Sequence, residues 1–347
     1  MKVTMEQIAQ AAGVSRATVS LALRDKPQIP AETRRRVHRE AQRLGYKPNP
    51  LVSALMSTRR RGRARFQATI TFLTGHATED GWRSFTPAYG ELFDGARNRA
   101  QELGYELEPL WWRAPGMTAA RLQRVLRARG IHAILIAPQP LEDARVPELD
   151  WKTFSVLAVG YSVLEPEFHR ISHDYFHGMS MALARCRARG YRRIGLFLDR
   201  RVSAVTFNLW HAAYLVEQRT TPGAERIDPL IAEGLEDPAL ADWLRRSRPD
   251  CLVCLNPWRL EDAGLLPRGF PTASLNIDES PRSMPGVSRD FGVIGATAVD
   301  RLVSLVQHND RGIPKHPQTI LMEGLWTHDE LLPPAKQARL GGRRTKV

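Results

Sequence analysis

The sequence predicts an N-terminal all-α helix-turn-helix domain with a hinge helix, followed by a larger α/β core built on parallel sheets. Three observations predict it: two short amphipathic helices joined through Gly13-Val14, alternating strand-like and helix-like segments from 66 to 334, and positive charge gathered at the chain ends. Residues 1–65 hold 15 Lys or Arg against 4 Asp or Glu, and residues 335–347 hold 5 basic and no acidic residues, while the whole chain carries only +13. The body between is therefore mildly acidic. A basic N-terminus on such a body is an electrostatic footprint for phosphates.

Thr4 is placed to N-cap a first helix in which Gln7 closes a capping box and Ile8, Ala9 and Ala12 form the apolar face. Gly13 ends it. Ser15 caps a second helix in which Val19 and Leu23 face inward, leaving Arg16, Ala17, Thr18, Ser20 and Leu21 on the outward N-terminal surface. A recognition helix reads bases from that surface, and Arg24 follows at its end. A third helix is expected over 31–44 after Pro30, with Val37, Ala41 and Leu44 packing inward and Arg34 and Arg35 near phosphates. Gly45 stops it. Asn49 and Pro50 then suit the cap and first position of a short hinge helix carrying Val52, Leu55 and Met56. Such a helix is too short to be stable alone in water, so it forms where DNA and a partner chain support it.

The order Thr4, Ile8-Ala9, Ala12-Gly13-Val14-Ser15, Thr18-Val19-Ser20, then Gly45-Tyr46 and Pro48-Asn49, closely resembles the lactose-repressor (LacI) family of bacterial transcriptional regulators. The resemblance implies that the second helix lies in the major groove of operator DNA. It also implies that paired hinge helices insert Leu55, flanked by Val52 and Met56, into a minor-groove step, trading unstacking for a bent site with more contacts. Arg16, Ala17 and Leu21 fall on the base-reading positions, so Arg16 is the expected guanine reader and the two apolar residues are expected to meet thymine methyls. A homodimer on a pseudo-palindromic site follows.

From 67 onward the pattern reads as strand 67–73, helix 89–103, strand 105–110, helix 118–129 and strand 131–137, with Gly104 and Gly130 as helix stops. Strands 155–160 and 193–198 follow, with helix 178–189 before the second; then come strands 251–255 and 272–276 and helix 291–306. The resemblance makes this core similar to periplasmic sugar-binding proteins, with two parallel-sheet subdomains. The expected organisation is a DNA-binding domain at 1–48, hinge and basic linker at 49–65, an effector-binding and dimerisation core at 66–334, and a disordered basic tail at 335–347. Within the core, the N-subdomain takes about 66–161 and 290–320, and the C-subdomain about 162–289 and 321–334. Arg289-Asp290-Phe291 through Gly295 and the run 298–302 fit the family's return into the first subdomain.

Ligands of open α/β sheets bind beyond the carboxyl ends of the strands. Those ends offer Thr74-Gly75-His76 with nearby Trp82, Phe85 and Tyr89; Pro138-Gln139; Tyr161; Asp174 with Tyr175 and Phe176; Asn208 and Trp210; Asn256 and Trp258; Asn276 with Asp278. Aromatic faces with amides and carboxylates suit a sugar or sugar acid. The candidate effector contacts are Tyr89, Tyr161, Asp174, Asn208, Asn256, Trp258 and Arg289, with Arg289 able to receive a carboxylate. Two positions depart from the family: its arginine after the strand 193–198 is missing, with Asn208 and His211 the nearest match, and its Asn-Asp after the strand 251–255 is Asn256-Pro257. Trp111-Trp112 is assigned to structure.

Other classes fare poorly. No phosphate loop, Walker lysine, His-Glu-x-x-His helix or nucleophile elbow occurs, so neither an enzyme nor a cofactor is expected. Cys251 and Cys254 have metal-ligand spacing but lie in an apolar strand, where residues three apart point to opposite faces; no metal is expected there. No run reaches the length of a membrane span and no signal peptide opens the chain, so a cytoplasmic, nucleoid-associated protein is expected. Two alternatives remain open on the sequence: a regulator that needs its ligand as co-repressor, and an architectural DNA binder without a ligand.

Overall fold

In the computed structural model, which describes residues 4–23, 29–44, 68–140, 145–163, 165–223, 225–235 and 237–335, the chain separates into two compact units, Met1–Arg65 and Phe66–Val347. The first holds α1 (Met5–Ala12), α2 (Arg16–Ala22) and α3 (Ala31–Arg43). Thr4 Oγ1 accepts from the Gln7 N–H while Gln7 Oε1 accepts from the Thr4 N–H at 2.9 Å, so the capping box forms. Gly13, at φ 64°, closes α1 by donating to the Ala9 and Gln10 carbonyls. Ser15 Oγ takes the Thr18 N–H at 3.1 Å and starts α2. Helices this short hold only by packing. Ile8, Val19, Ala22 and Val37 are fully buried among Ala9, Ala12 and Ala41, and Leu23 and Leu44 lie half-buried against them. Gly45, the hinge segment and the basic linker fall outside the described residues, as does the tail from 336 onward.

The second unit is two six-stranded sheets. In chain order it contains β1 (Ala68–Thr74), α4 (Gly81–Phe85), α5 (Pro87–Glu102), β2 (Tyr105–Trp111), α6 (Ala119–Ala128), β3 (Ala133–Ile136), β4 (Ser155–Val159), β5 (His169–His173), α7 (Tyr175–Ala188) and β6 (Ile194–Asp199). Then follow α8 (Arg200–Val205), α9 (Leu209–Thr220), β7 (Leu230–Ala232), α10 (Ala239–Ser247), β8 (Cys251–Cys254), α11 (Pro257–Asp262), β9 (Thr272–Ser274), β10 (Gly286–Ser288), α12 (Phe291–His308), β11 (Thr319–Met322) and β12 (Leu325–Thr327). The first sheet runs β11-β5-β4-β3-β1-β2 and is parallel throughout. The second runs β12-β10-β9-β8-β6-β7 and is parallel except where β12 pairs antiparallel with β10.

These orders correct the expected subdomain boundaries. The break expected at 161–162 falls before β5, which pairs with β4 in the first sheet, and the break expected at 320–321 cuts β11, which pairs with β5 in that same sheet. The chain crosses between subdomains after β5, after β10 and after β11. All three crossings leave from carboxyl strand ends and therefore border the cleft between the sheets.

Each sheet buries both faces, as parallel sheets require. In the first subdomain α5 and α12 pack on one face through Leu92, Phe93, Ala96, Ile294, Ala298 and Leu302, and α6 covers the other through Leu122 and Leu126. The α5–α12 crossing is so close that a Cβ on Gly95 would stand 2.0 Å from the Gly292 carbonyl oxygen. Trp82, expected near a ligand, instead sits in this core, with its ring centroid 5.2 Å from Phe72 and 5.1 Å from Phe93. In the second sheet Cys251 and Cys254 fall in different apolar clusters, one on each face. Cys251 Sγ meets Cys186 Sγ at 3.6 Å, and burial pushes the Cys251 and Cys254 thiols up. Among the described residues no helix is long and apolar enough to cross a membrane.

Candidate functional site

Two surfaces carry the chemistry. On the first unit, α2 presents Arg16 exposed at its N-terminal end, with Thr18 and Leu21 half-buried beside it. Thr4 and Ser15 are exposed, but their hydroxyls are committed to the caps, and Ser15 Oγ also lies 2.8 Å from Thr18 Oγ1. The α3 face holds Arg35 and Arg39 beside Arg34, His38 and Gln42 around a hollow of about 560 Å³. Arg34 departs from the expected phosphate role in one respect: its Nη1 donates to the Ile29 carbonyl at 2.8 Å, so it also braces the segment before α3. The side chains of Ala17 and Ser20, and all of Arg24, Asn49, Val52, Leu55 and Met56, lie outside the described residues.

The second surface is the cleft at the facing carboxyl ends of the two sheets. Arg289, beyond β10 at the second crossing, is 8% exposed and sits 4.6 Å from the ring centroid of Phe291 and 5.7 Å from that of Trp210. Its guanidinium lies 3.9 Å from the Glu279 carboxylate, too far for a charge-assisted hydrogen bond, and its Nε has no hydrogen-bond partner. Glu279 takes a hydrogen bond from Thr86 Oγ1 at the start of α5, which ties the second subdomain to the first. Asp278 anchors the same strip of chain by accepting from Ser288 Oγ at 2.7 Å and the Arg289 N–H at 2.7 Å. Tyr89 faces this group across the cleft; burial, with the Tyr175 hydroxyl next in weight, pushes its phenol up, while Arg289 opposes the shift.

An aromatic row continues from there. Tyr175 stands edge-on to Trp210 at 5.1 Å and to His173 at 5.2 Å, and Tyr161 lies 6.4 Å from Tyr175 and 5.7 Å from Phe207. Burial first, and the Arg289 charge second, hold His173 down at about 3, so the ring is neutral. Trp210 Nε1 and both side-chain polar atoms of Asn276 are buried without hydrogen-bond partners. Buried donors and acceptors of that kind are costly unless something satisfies them, and a ligand with hydroxyls would.

The remaining expected contacts divide. Asn256 lines a second-subdomain cavity of about 310 Å³ with Asp199, Val202, Leu235 and Arg259, and its Oδ1 has no partner. Asp174 caps α7 by accepting the His177 N–H at 2.9 Å, and Asn208 Oδ1 accepts from Ser203 Oγ at 2.9 Å, so both also serve local turns. Trp258 is buried on α11. Trp111 holds structure, donating to the His76 carbonyl at 2.8 Å. Sequence reasoning missed Glu279, Phe207, Asp199 and Arg259. Glu279 adjoins the Asp278 that strand-end reasoning did find; Phe207 owes its place to a backbone conformation with no sequence signal.

Comparison with known proteins bears on both surfaces. Residues 4–49 match the family model described as bacterial regulatory proteins, lacI family. The HTH-type transcriptional regulator AglR of Rhizobium meliloti (strain 1021) is 27% identical over 168 residues, 48% of this chain and 44% of that relative, so the match spans less than half of the relative's length. Among solved structures, the complex of the transcriptional regulator CelR with cellobiose is 19% identical over 94% of this chain and 99% of its own, with a TM-score of 0.51. The lac repressor dimer bound to operator and the anti-inducer ONPF is 19% identical over 94% of this chain and 98% of its own, with a TM-score of 0.50. At that identity the two share a fold with this chain.

Proposed function

We propose that this chain, whose residues 4–49 match the lacI family of bacterial regulatory proteins, is a homodimeric repressor of transcription whose operator affinity is set by a sugar in the cleft. The observation that carries the DNA half is α2: a helix capped by Ser15 that leaves Arg16 exposed beside a basic α3 face. Arg16 reads a base, Arg35 and its neighbours hold phosphates, and hinge helices carrying Leu55 meet over the central minor groove. The protein works in the cytoplasm, on the nucleoid.

The ligand half rests on the cleft. Unpartnered Arg289 Nε, Trp210 Nε1 and Asn276 offer donors and an acceptor beside aromatic faces, the equipment for a hydroxyl-rich ring. The cellobiose in the CelR complex, a protein of the same fold, supports a sugar. Arg289 already has Glu279 as counter-charge, so a neutral sugar fits better than a sugar acid. Closure on the ligand changes the angle between subdomains and thereby whether paired hinges meet. No enzymatic step is assigned to these residues.

The test has two stages. Selection from randomised duplexes yields the operator, and a thermal-shift screen of neutral sugars and sugar acids yields the ligand. Operator titration with each hit then gives the sign of control, and a ligand that tightens binding makes the protein co-repressor-dependent. DNA binding that no hit changes would instead make it an architectural binder.

A further inference from the structure

Phe207 is unusual in both exposure and backbone. Its side chain is 54% exposed, the residue sits at φ 54°, and Asn208 follows at φ 57°, so two successive residues with side chains occupy the left-handed region. That conformation is unfavourable and persists where its surroundings over-determine it. Here the Phe207 N–H donates to the Ala204 carbonyl at 2.9 Å, the Asn208 N–H to the Ser203 carbonyl at 2.7 Å, and Ser203 Oγ to Asn208 Oδ1 at 2.9 Å. A rigid turn between α8 and α9 thus aims an apolar ring out of the second subdomain. The ring meets Tyr161 of the first subdomain in a parallel stack, centroids 5.7 Å apart and planes 14° apart. Tyr161 is braced in turn by the Arg170 guanidinium, 5.5 Å from its centroid, which donates to the Gly160 and Val163 carbonyls at 3.1 and 2.9 Å.

We propose that Tyr161 and Phe207 form an aromatic clasp that closes one end of the cleft and limits the length of the sugar it encloses. Rings from opposite subdomains keep this contact only while the subdomains are close, so the stack favours closure before any ligand arrives. A sugar that fits between the clasp and Arg289 leaves the stack intact. A longer one must part the rings and forgo their contact, and that difference discriminates. The ligand class rests on the sugar reading above, whereas the clasp itself stands without it.

The three native cysteines are buried, so Lys152→Cys in the first subdomain and Arg246→Cys in the second, both at exposed positions, accept spin labels selectively in the full-length chain. Pulsed electron paramagnetic resonance without ligand then reads the inter-subdomain distance. Phe207→Ala and Tyr161→Ala are expected to broaden the distribution and move it outward, and Phe207→Tyr to leave it unchanged. An unaltered distribution in whichever alanine variant unfolds as cooperatively as the parent overturns the clasp. Titration with glucose and with cello-oligosaccharides of increasing length tests the length limit: the affinity ratio between the best-bound sugar and the next longer one should fall about ten-fold in Phe207→Ala. An unchanged ratio, or tightest binding by the longest sugar, overturns the length limit. Binding of none of these, or of any other sugar in the thermal-shift screen, overturns the sugar reading and with it the length limit, and the distance measurement still decides the clasp.

Discussion

The Arg289 guanidinium and the Glu279 carboxylate face each other at 3.9 Å across the cleft floor, the first 8% and the second 15% exposed. Each balances the other's charge, while neither makes a direct hydrogen bond to the other. A ligand hydroxyl inserted between them can accept from arginine and donate to glutamate at once.

That geometry sets a selectivity. Glu279→Gln leaves Arg289 without its counter-charge, which is expected to cost on the order of a few kcal/mol in stability and to move preference toward sugar acids. Chemical denaturation and calorimetric titration with a matched neutral and acidic sugar pair measure both. A variant that keeps the wild-type preference would mean that the ligand does not touch this pair.

Reading and positioning separate on the first unit. Arg16→Ala is expected to cost ~1–3 kcal/mol on the selected duplex and to relax preference at one base pair per half-site. Arg35→Ala should weaken selected and scrambled duplexes alike and lower the salt dependence. Selections repeated with each variant check this, and an unchanged base preference in Arg16→Ala removes the direct contact. Arg34→Ala is expected to destabilise the unit as well, because its side chain also holds the Ile29 carbonyl.

Helix packing in the first subdomain depends on absent side chains. A Cβ on Gly295 would meet the Leu92 carbonyl oxygen at 2.0 Å, and one on Gly95 would meet the Gly292 carbonyl oxygen at 2.0 Å. Both obstacles are backbone and cannot rotate away. Gly95→Ala and Gly295→Ala are each expected to lose about 1–3 kcal/mol by forcing α5 and α12 apart. Gly90→Ala, where a Cβ meets nothing within 4 Å, serves as the control and should lose far less in the same urea melts.

His173 gives the stability a pH dependence. Its folded-state value of about 3 lies below the ordinary 6.5, so on acidification the unfolded chain takes up the proton first. This residue's contribution is therefore full above 6.5 and is lost as pH falls from there toward 3, by at most about 1.4 kcal/mol per pH unit. His173→Gln should flatten the decline between pH 6.5 and 4.5 relative to wild type. Parallel curves for the two proteins would place the acid sensitivity elsewhere.

Legibility in the sequence followed how local the determinants are. The caps at Thr4 and Ser15 and the stop at Gly13 are made by residues within a few positions of one another, so the first unit could be read almost residue by residue. Strands rich in Val, Ile and Leu, such as β3 and β4, were legible for the same reason. β5 was not: His169-Arg170-Ile171-Ser172-His173 is polar in composition yet buried throughout, its Arg170 donating to the Gly160 and Val163 carbonyls of the preceding turn and its His169 accepting from the distant Gln318 N–H. Missing it displaced the subdomain boundary. Of the strands of three residues, β9 fell within the expected strand 272–276, whereas β7, β10 and β12 are too short to show a period. In the cleft, Arg289 was found because it opens a recognisable run, but its pairing with Glu279 and the Tyr161–Phe207 stack depend on which crossings bring distant segments together.

The most direct test of effector-controlled DNA binding is titration of the selected operator and a scrambled duplex at one salt concentration, with and without the sugar that most raises the melting temperature. Coupling of about 1–3 kcal/mol, roughly a 5–150-fold change in operator affinity, is predicted, with little change on the scrambled duplex. A tight ligand that leaves operator affinity where it was would contradict it.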